Sequence, residues 1–108
     1  MLRVEFYEDS QGRLSSFVAR GHVEYAIETD DVVCAAASAI LQTAWLGLQE
    51  HLRIGVEAER SPGFLRLRWE EDGRASREAQ AILGTVRLAI EALAKQYPEN
   101  IAVSTARD

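Results

Sequence analysis

From Val32 to Leu48 the chain is apolar almost without interruption, broken chiefly by Ser38, Gln42 and Thr43. Asp30-Asp31 stands just before it. A short carboxylate there can accept hydrogen bonds from the first free N–H groups and oppose the helix dipole. The stretch is therefore predicted to be a helix that starts at Asp30 or Asp31, runs to about Arg53, and stops at Gly55. Ala36, Ile40, Trp45 or Ala44, and Leu48 mark one face, but Ala37, Leu41, Leu46 and Leu52 leave few sides polar. A helix apolar all round is buried on more than one side. In a chain of 108 residues, that favours either a sandwiched central helix or a homo-oligomer interface. The stretch is short for a membrane span.

The remaining segments are legible from their periods. Leu2, Val4 and Phe6 alternate with Arg3, Glu5 and Tyr7, as in a half-buried strand. Asp9-Ser10-Gln11-Gly12 is turn chemistry, and a second strand from Leu14 to His22 completes a hairpin. Val23 to Asp30 has no clear period and reads as a loop, either a lid over a site or a plain connector. Val56–Arg60 and Phe64–Glu70 form a second hairpin around Ser61-Pro62-Gly63. In its second strand, Leu65, Leu67 and Trp69 oppose Arg66 and Arg68. Glu71-Asp72-Gly73 turns the chain again. A last helix spans roughly Arg77 to Tyr97, with Ile82, Leu83, Val86, Ala89, Ile90 and Leu93 as its stripe, and Arg87, Glu91 and Lys95 on the wet side. Pro98 ends it. The predicted fold is α+β, a single domain over 1–108 in ββαββα order, with two helices packed on a mostly antiparallel sheet.

Net charge is −5. Such a surface repels nucleic acid and attracts a basic partner. One cysteine, Cys34, excludes an internal disulfide, and the charged, alternating N-terminus is not a signal peptide. A reducing, cytoplasmic setting is expected.

Cys34 also carries the chemistry. With Asp31 as N-cap it occupies the third helical position, where free N–H groups and the dipole favour a thiolate. His22, following Gly21, ends the preceding strand and is placed to act as a base. The amides of Cys34 and Ala35 are then candidate oxyanion donors, and Gly21 lets a substrate backbone come close. Against this stands the structural alternative: cysteine is among the residues most often buried as a small inert hydrophobe. A zinc site of His22, Cys34 and an aspartate would lack the four ligands that structural zinc uses. His51 is placed to favour the helix dipole, and Trp45 and Trp69 to anchor a core or interface.

Gly21-His22-x-x-Tyr25-Ala26 followed by Asp31-Val32-Val33-Cys34-Ala35-Ala36-Ala37-Ser38-Ala39-Ile40 resembles the ribosomal-processing cysteine protease (Prp, YsxB-like) family. Gly12-x-Leu14-x-Ser16-Phe17 is similar to that family's second strand, and the resemblance covers essentially the whole chain. It implies a cysteine endopeptidase that removes an N-terminal extension from a large-subunit ribosomal protein. It also implies a homodimer with no metal or organic cofactor; charge and the short apolar stretch argue against direct contact with nucleic acid or membrane. Residue by residue, it makes Cys34 the nucleophile, His22 the general base, Asp31 an acidic position before the helix that caps it or orients the dyad, and Ser38 a serine one turn on that can hydrogen-bond near the thiol. Asp30 replaces a glycine common in the family, and Ala44-Trp45-Leu46-Gly47 stands where many relatives carry an asparagine. The rival function is a non-enzymatic ribosome-assembly or adaptor protein with a structural Cys34.

Overall fold

Strict alternation makes the first strand. Leu2, Val4 and Phe6 are buried, and the residues between them face outward. The structure, a computed structural model, describes residues 1–21 and 29–108, and the side chains of all of these except 29–31. Its elements are β1 (Leu2–Glu8), β2 (Leu14–Arg20), α1 (Thr29–Leu46) continued by a π-helical turn (Gly47–His51), β3 (Val56–Ser61), β4 (Phe64–Trp69), α2 (Glu71–Ala75), α3 (Arg77–Gln96) and β5 (Ile101–Arg107). The strands form one sheet in the order β3-β4-β2-β1-β5. Every pair is antiparallel except β1 and β5, which run parallel.

The fold class agrees with the sequence reading, with two additions. Glu71-Asp72-Gly73 opens the short helix α2 rather than a simple turn. Gly73 is required there, because a Cβ would lie 2.8 Å from the Trp69 ring. A fifth strand, β5, follows α3 and pairs with β1 from Leu2↔Ile101 to Glu8↔Arg107. Its apolar residues, Ile101, Ala102, Val103 and Ala106, fall on both faces, so it lacks the strict alternation that reveals a strand.

α1 is not sandwiched. Its core stripe is Val33, Ala37, Leu41, Ala44 and Leu48, about one residue's rotation from the predicted face at its N-terminal end. Val32 and Leu46 are 68% and 60% exposed, so the helix buries one side in a single chain. By length and composition Val32–His51 suffices to cross a membrane, contrary to the reading from sequence, yet this stripe is packed on the sheet. α3 supplies Ala79, Leu83, Val86 and Ile90 to the same core. Gly47 lets the two helices approach, with Ile82 only 3.1 Å from where a Cβ would stand. α1 ends earlier than Gly55: the turn widens, Arg53 takes φ 59°, and the Ile54 amide donates to the Leu48 carbonyl at 2.8 Å.

At the centre, Phe6, Phe17 and Trp69 pack in series, tilted and then edge-on, with ring centroids 5.7 and 6.3 Å apart. Trp69 Nε1 donates to the Leu14 carbonyl at 2.7 Å, and the Gln80 amide clamps both the N–H and the carbonyl of Leu14. The other sheet face is polar. Glu57 and Glu59 sit opposite Arg68 and Arg66 and form ion pairs with them. Arg87 is not merely solvated but reaches Glu8 on β1 at 3.1 Å.

Arg13 ties the β1–β2 turn to α2, donating to Asp9 at 2.9 Å and bidentately to Glu71. Burial pushes the Asp9 carboxyl up, but the amides of Arg13 and Gln11 and the guanidinium outweigh it, so it lies below its usual value. The Arg13 hydrogen bonds likewise hold Glu71 down. Groups lowered on folding stabilise fully above the ordinary carboxylate range, roughly pH 4 to 4.5, and that stability is lost as pH falls through their lowered values. The urea midpoint of the native protein is expected to fall with acid over this window. Arg13→Gln should flatten that dependence, and an unchanged slope would count against the network.

Candidate active site

α1 begins at Thr29, so Cys34 is its sixth residue rather than its third. This corrects the amide assignment made from the sequence. Only the first four N–H groups of a helix lack an internal partner. The amides of Cys34 and Ala35 belong to the helical ladder and are not free oxyanion donors. Asp31 lies within the first turn rather than at the cap; its side chain is outside the described residues, as are His22 and the segment Val23–Glu28. Cys34 itself is 3% exposed, and Ala35 beside it faces solvent. Yet among the described residues Cys34 falls outside the contiguous apolar cluster, to which α1 contributes Val33, Ala37, Leu41, Ala44 and Leu48. It heads a neighbouring stripe in which Ser38 follows at i+4.

Ser38 opens onto a cavity of about 510 Å³. One wall is α1, through Ser38, Leu41 and Gln42; the other is the tip of the β3–β4 hairpin, residues 60–65, with Leu2 and Ala19 at the base. Gly21 sits at the rim. Its N–H donates to the carbonyl of Gly63, a wall residue, at 3.1 Å. Its φ is +82°, and a Cβ would lie 2.4 Å from the Met1 carbonyl oxygen. Glycine is thus fixed at this position by the backbone, a reason the sequence did not reveal. The end of β2 thus stands at one edge of the cavity, and Cys34 lies one turn from Ser38 on the opposite wall. Among the described residues no group of three His, Cys, Asp or Glu side chains gathers as a metal site would need.

Gly21→Ala is expected to cost about 2 kcal/mol or more, from left-handed strain plus the clash with Met1. Gly12→Ala shares the strain (φ +78°) but meets nothing within 4 Å. Thermal melts should therefore show the larger loss for Gly21→Ala, and equal losses would contradict the close approach to Met1.

The profile described as "Cysteine protease Prp" matches residues 1–102. The chain belongs to the Prp cysteine protease family. A Prp relative, the ribosomal processing cysteine protease Prp of Staphylococcus aureus (strain Mu50 / ATCC 700699), is 27% identical over 107 residues, which cover 96% of this chain and 98% of that protein. Two solved structures share the fold. SMU.848 from Streptococcus mutans has a TM-score of 0.87 at 20% identity, over 100% of this chain and 96% of its own. The S. aureus Prp in complex with a substrate peptide has a TM-score of 0.86 at 22% identity, over 97% of this chain and 99% of its own. As a Prp enzyme this chain is a cysteine protease, which sets aside the rival reading of a non-enzymatic adaptor. The hairpin residues that wall the cavity were missed from sequence. Ser61-Pro62-Gly63 announced the turn, but nothing in its composition says that it faces α1 across a cavity.

Proposed function

We propose that this enzyme is an endopeptidase that removes the N-terminal extension of a basic large-subunit ribosomal protein precursor, with Cys34 as nucleophile and His22 as general base. One observation carries the assignment: a cysteine protease needs a reactive thiol, and Cys34 is the one cysteine in the sequence. The cavity beside Ser38, and the anchoring of Gly21 on its opposite rim, support a meeting of the two residues there. The S. aureus relative's description as ribosomal processing, and a fold shared with a peptide-bound Prp structure, support the substrate class. The net charge of −5 suits a basic partner.

In this mechanism His22 accepts the Cys34 proton and the sulfur attacks the scissile carbonyl. His22 then protonates the leaving amine, which departs as the new N-terminus. Water, activated by the same imidazole, hydrolyses the thioester and frees Cys34. No cofactor enters these steps. Ser38 and Asp31 act as positioning residues near the thiol and at the helix start. The working unit is a homodimer in the cytoplasm, and the exposed Val32 and Leu46 on α1 offer apolar surface for a second copy.

The test is incubation of the enzyme with the unprocessed ribosomal protein of its own host, read by mass spectrometry. A single new N-terminus at the start of the basic mature segment is expected, and no product with Cys34→Ala. An intact precursor in the presence of active enzyme would overturn the substrate assignment.

A further inference from the structure

The outer side of α3 departs from the charged face that an amphipathic helix usually turns to water. From Glu78 to Lys95 its exposed residues are Glu78, Ala81, Thr85, Leu88, Ala92 and Lys95, at alternating steps of three and four. That spacing makes one straight seam along a helix. Between its charged ends the seam carries no charge, and Leu88 near its middle is 66% exposed. Gly84 and Ala89 border it. A glycine inside a helix is destabilising relative to alanine. The single chain gives no reason for one here: among the described residues, a Cβ at Gly84 would meet nothing within 4 Å. Gly47 and Gly73, by contrast, each make room for a neighbouring side chain.

We propose that a second copy of this chain packs on this seam, α3 against α3, antiparallel about a twofold axis level with the midpoint of Val86 and Arg87. The proposal rests on the homodimer reading above and adds where, and in which direction, the copies meet. With that axis Thr85 faces Leu88, Ala81 faces Ala92, Gly84 faces Ala89 and Glu78 faces Lys95, each pairing made twice. Small residues then oppose small ones, so the helices can approach closely, which accounts for Gly84. Charge fixes the direction. A parallel pair in register would set Glu78 against Glu78 and Lys95 against Lys95. The antiparallel pair brings opposite charges together at both ends. Ile82 flanks the seam and packs against Gly47, so the exposed Leu46 of α1 stands near its margin.

Sedimentation of the native protein over micromolar concentrations is expected to show a dimer. Gly84→Leu and Leu88→Glu should each raise its dissociation constant about 10-fold or more, with the far-UV circular dichroism of the fold retained. Glu78→Lys and Lys95→Glu each turn two attractions into two repulsions and should raise it roughly 10-fold. The double variant Glu78→Lys/Lys95→Glu recreates both pairs and should return to within about threefold of native. If these charges acted only through the helix dipole, the two losses would instead add. A double variant that fails to recover therefore overturns the pairing. A carbodiimide gives a direct reading. Lys95 is the one lysine in the sequence, and Glu78 lies seventeen residues away, about 25 Å along a straight helix. An amide between them, formed as the reagent takes up the water lost, can join only two copies. The linked peptide should appear by mass spectrometry in native protein and be missing in Lys95→Arg. A dimer that ignores all four single substitutions, with its cross-links mapping elsewhere, would overturn this interface and leave the homodimer standing. A native protein still monomeric at about 100 μM would end both.

Discussion

Cys34→Ala is expected to lower turnover of a cleavable precursor peptide by about 10⁴-fold or more, since loss of the nucleophile leaves only binding and residual polar stabilisation. The fold should survive. The substitution removes one sulfur from a side chain that, among the described residues, lies outside the contiguous apolar cluster, while the stripe that holds α1 to the sheet, Val33 to Leu48, is untouched. A cost near 1 kcal/mol is expected from the small void. Activity and stability therefore separate: urea midpoints nearly unchanged, turnover abolished. Equal cleavage by Cys34→Ala and native protein would eliminate the nucleophile assignment. Alkylation adds a second reading. Cys34 is 3% exposed, so iodoacetamide should react fast only if the site admits small reagents. A thiol that resists the reagent until unfolding would count against Cys34 as the nucleophile.

His22→Ala is expected to lower kcat by about 10²- to 10⁴-fold, the usual contribution of a positioned general base, with little change in KM. It should also slow alkylation of Cys34. The physical ground lies in the residue before it. Gly21 is pinned by its hydrogen bond to Gly63 at 3.1 Å and by its contact with Met1, so the bond to His22 starts from a fixed point on the cavity rim. A rate unaffected by His22→Ala, at any pH between 6 and 9, would require a different base. Gly21→Ala should reproduce part of the His22 defect by moving that starting point, whereas Gly12→Ala, at the far end of the same hairpin, should not.

Much of the architecture was legible because it is written in local periods. The alternation of Leu2, Val4 and Phe6, the turn chemistry at Gly12 and Gly63, and the stripe of α3 all lie within a few residues of one another. β5 was not legible, since Ile101–Arg107 is a strand only through its parallel ladder with β1, nearly the full chain length away. The start of α1 was misplaced because Asp30 and Asp31 are good capping residues, yet the helix begins at Thr29. That difference moves Cys34 into the second turn, where the dipole has weakened and the amides are already bonded. The helix looked buried all round because alanine counts as apolar in a pattern, although Ala35 and Ala39 face outward.

The amino-acid order alone determined the class of fold, the sulfur that chemistry would need and the family pattern around it, because those depend on residue identity at short spacing. Only the tertiary structure decided that the tip of the β3–β4 hairpin faces α1 across a cavity, and that Gly21 must be glycine because Met1 lies against it. Each of these joins segments far apart in the chain. Such contacts are set by how the sheet and helices pack, which no local period records.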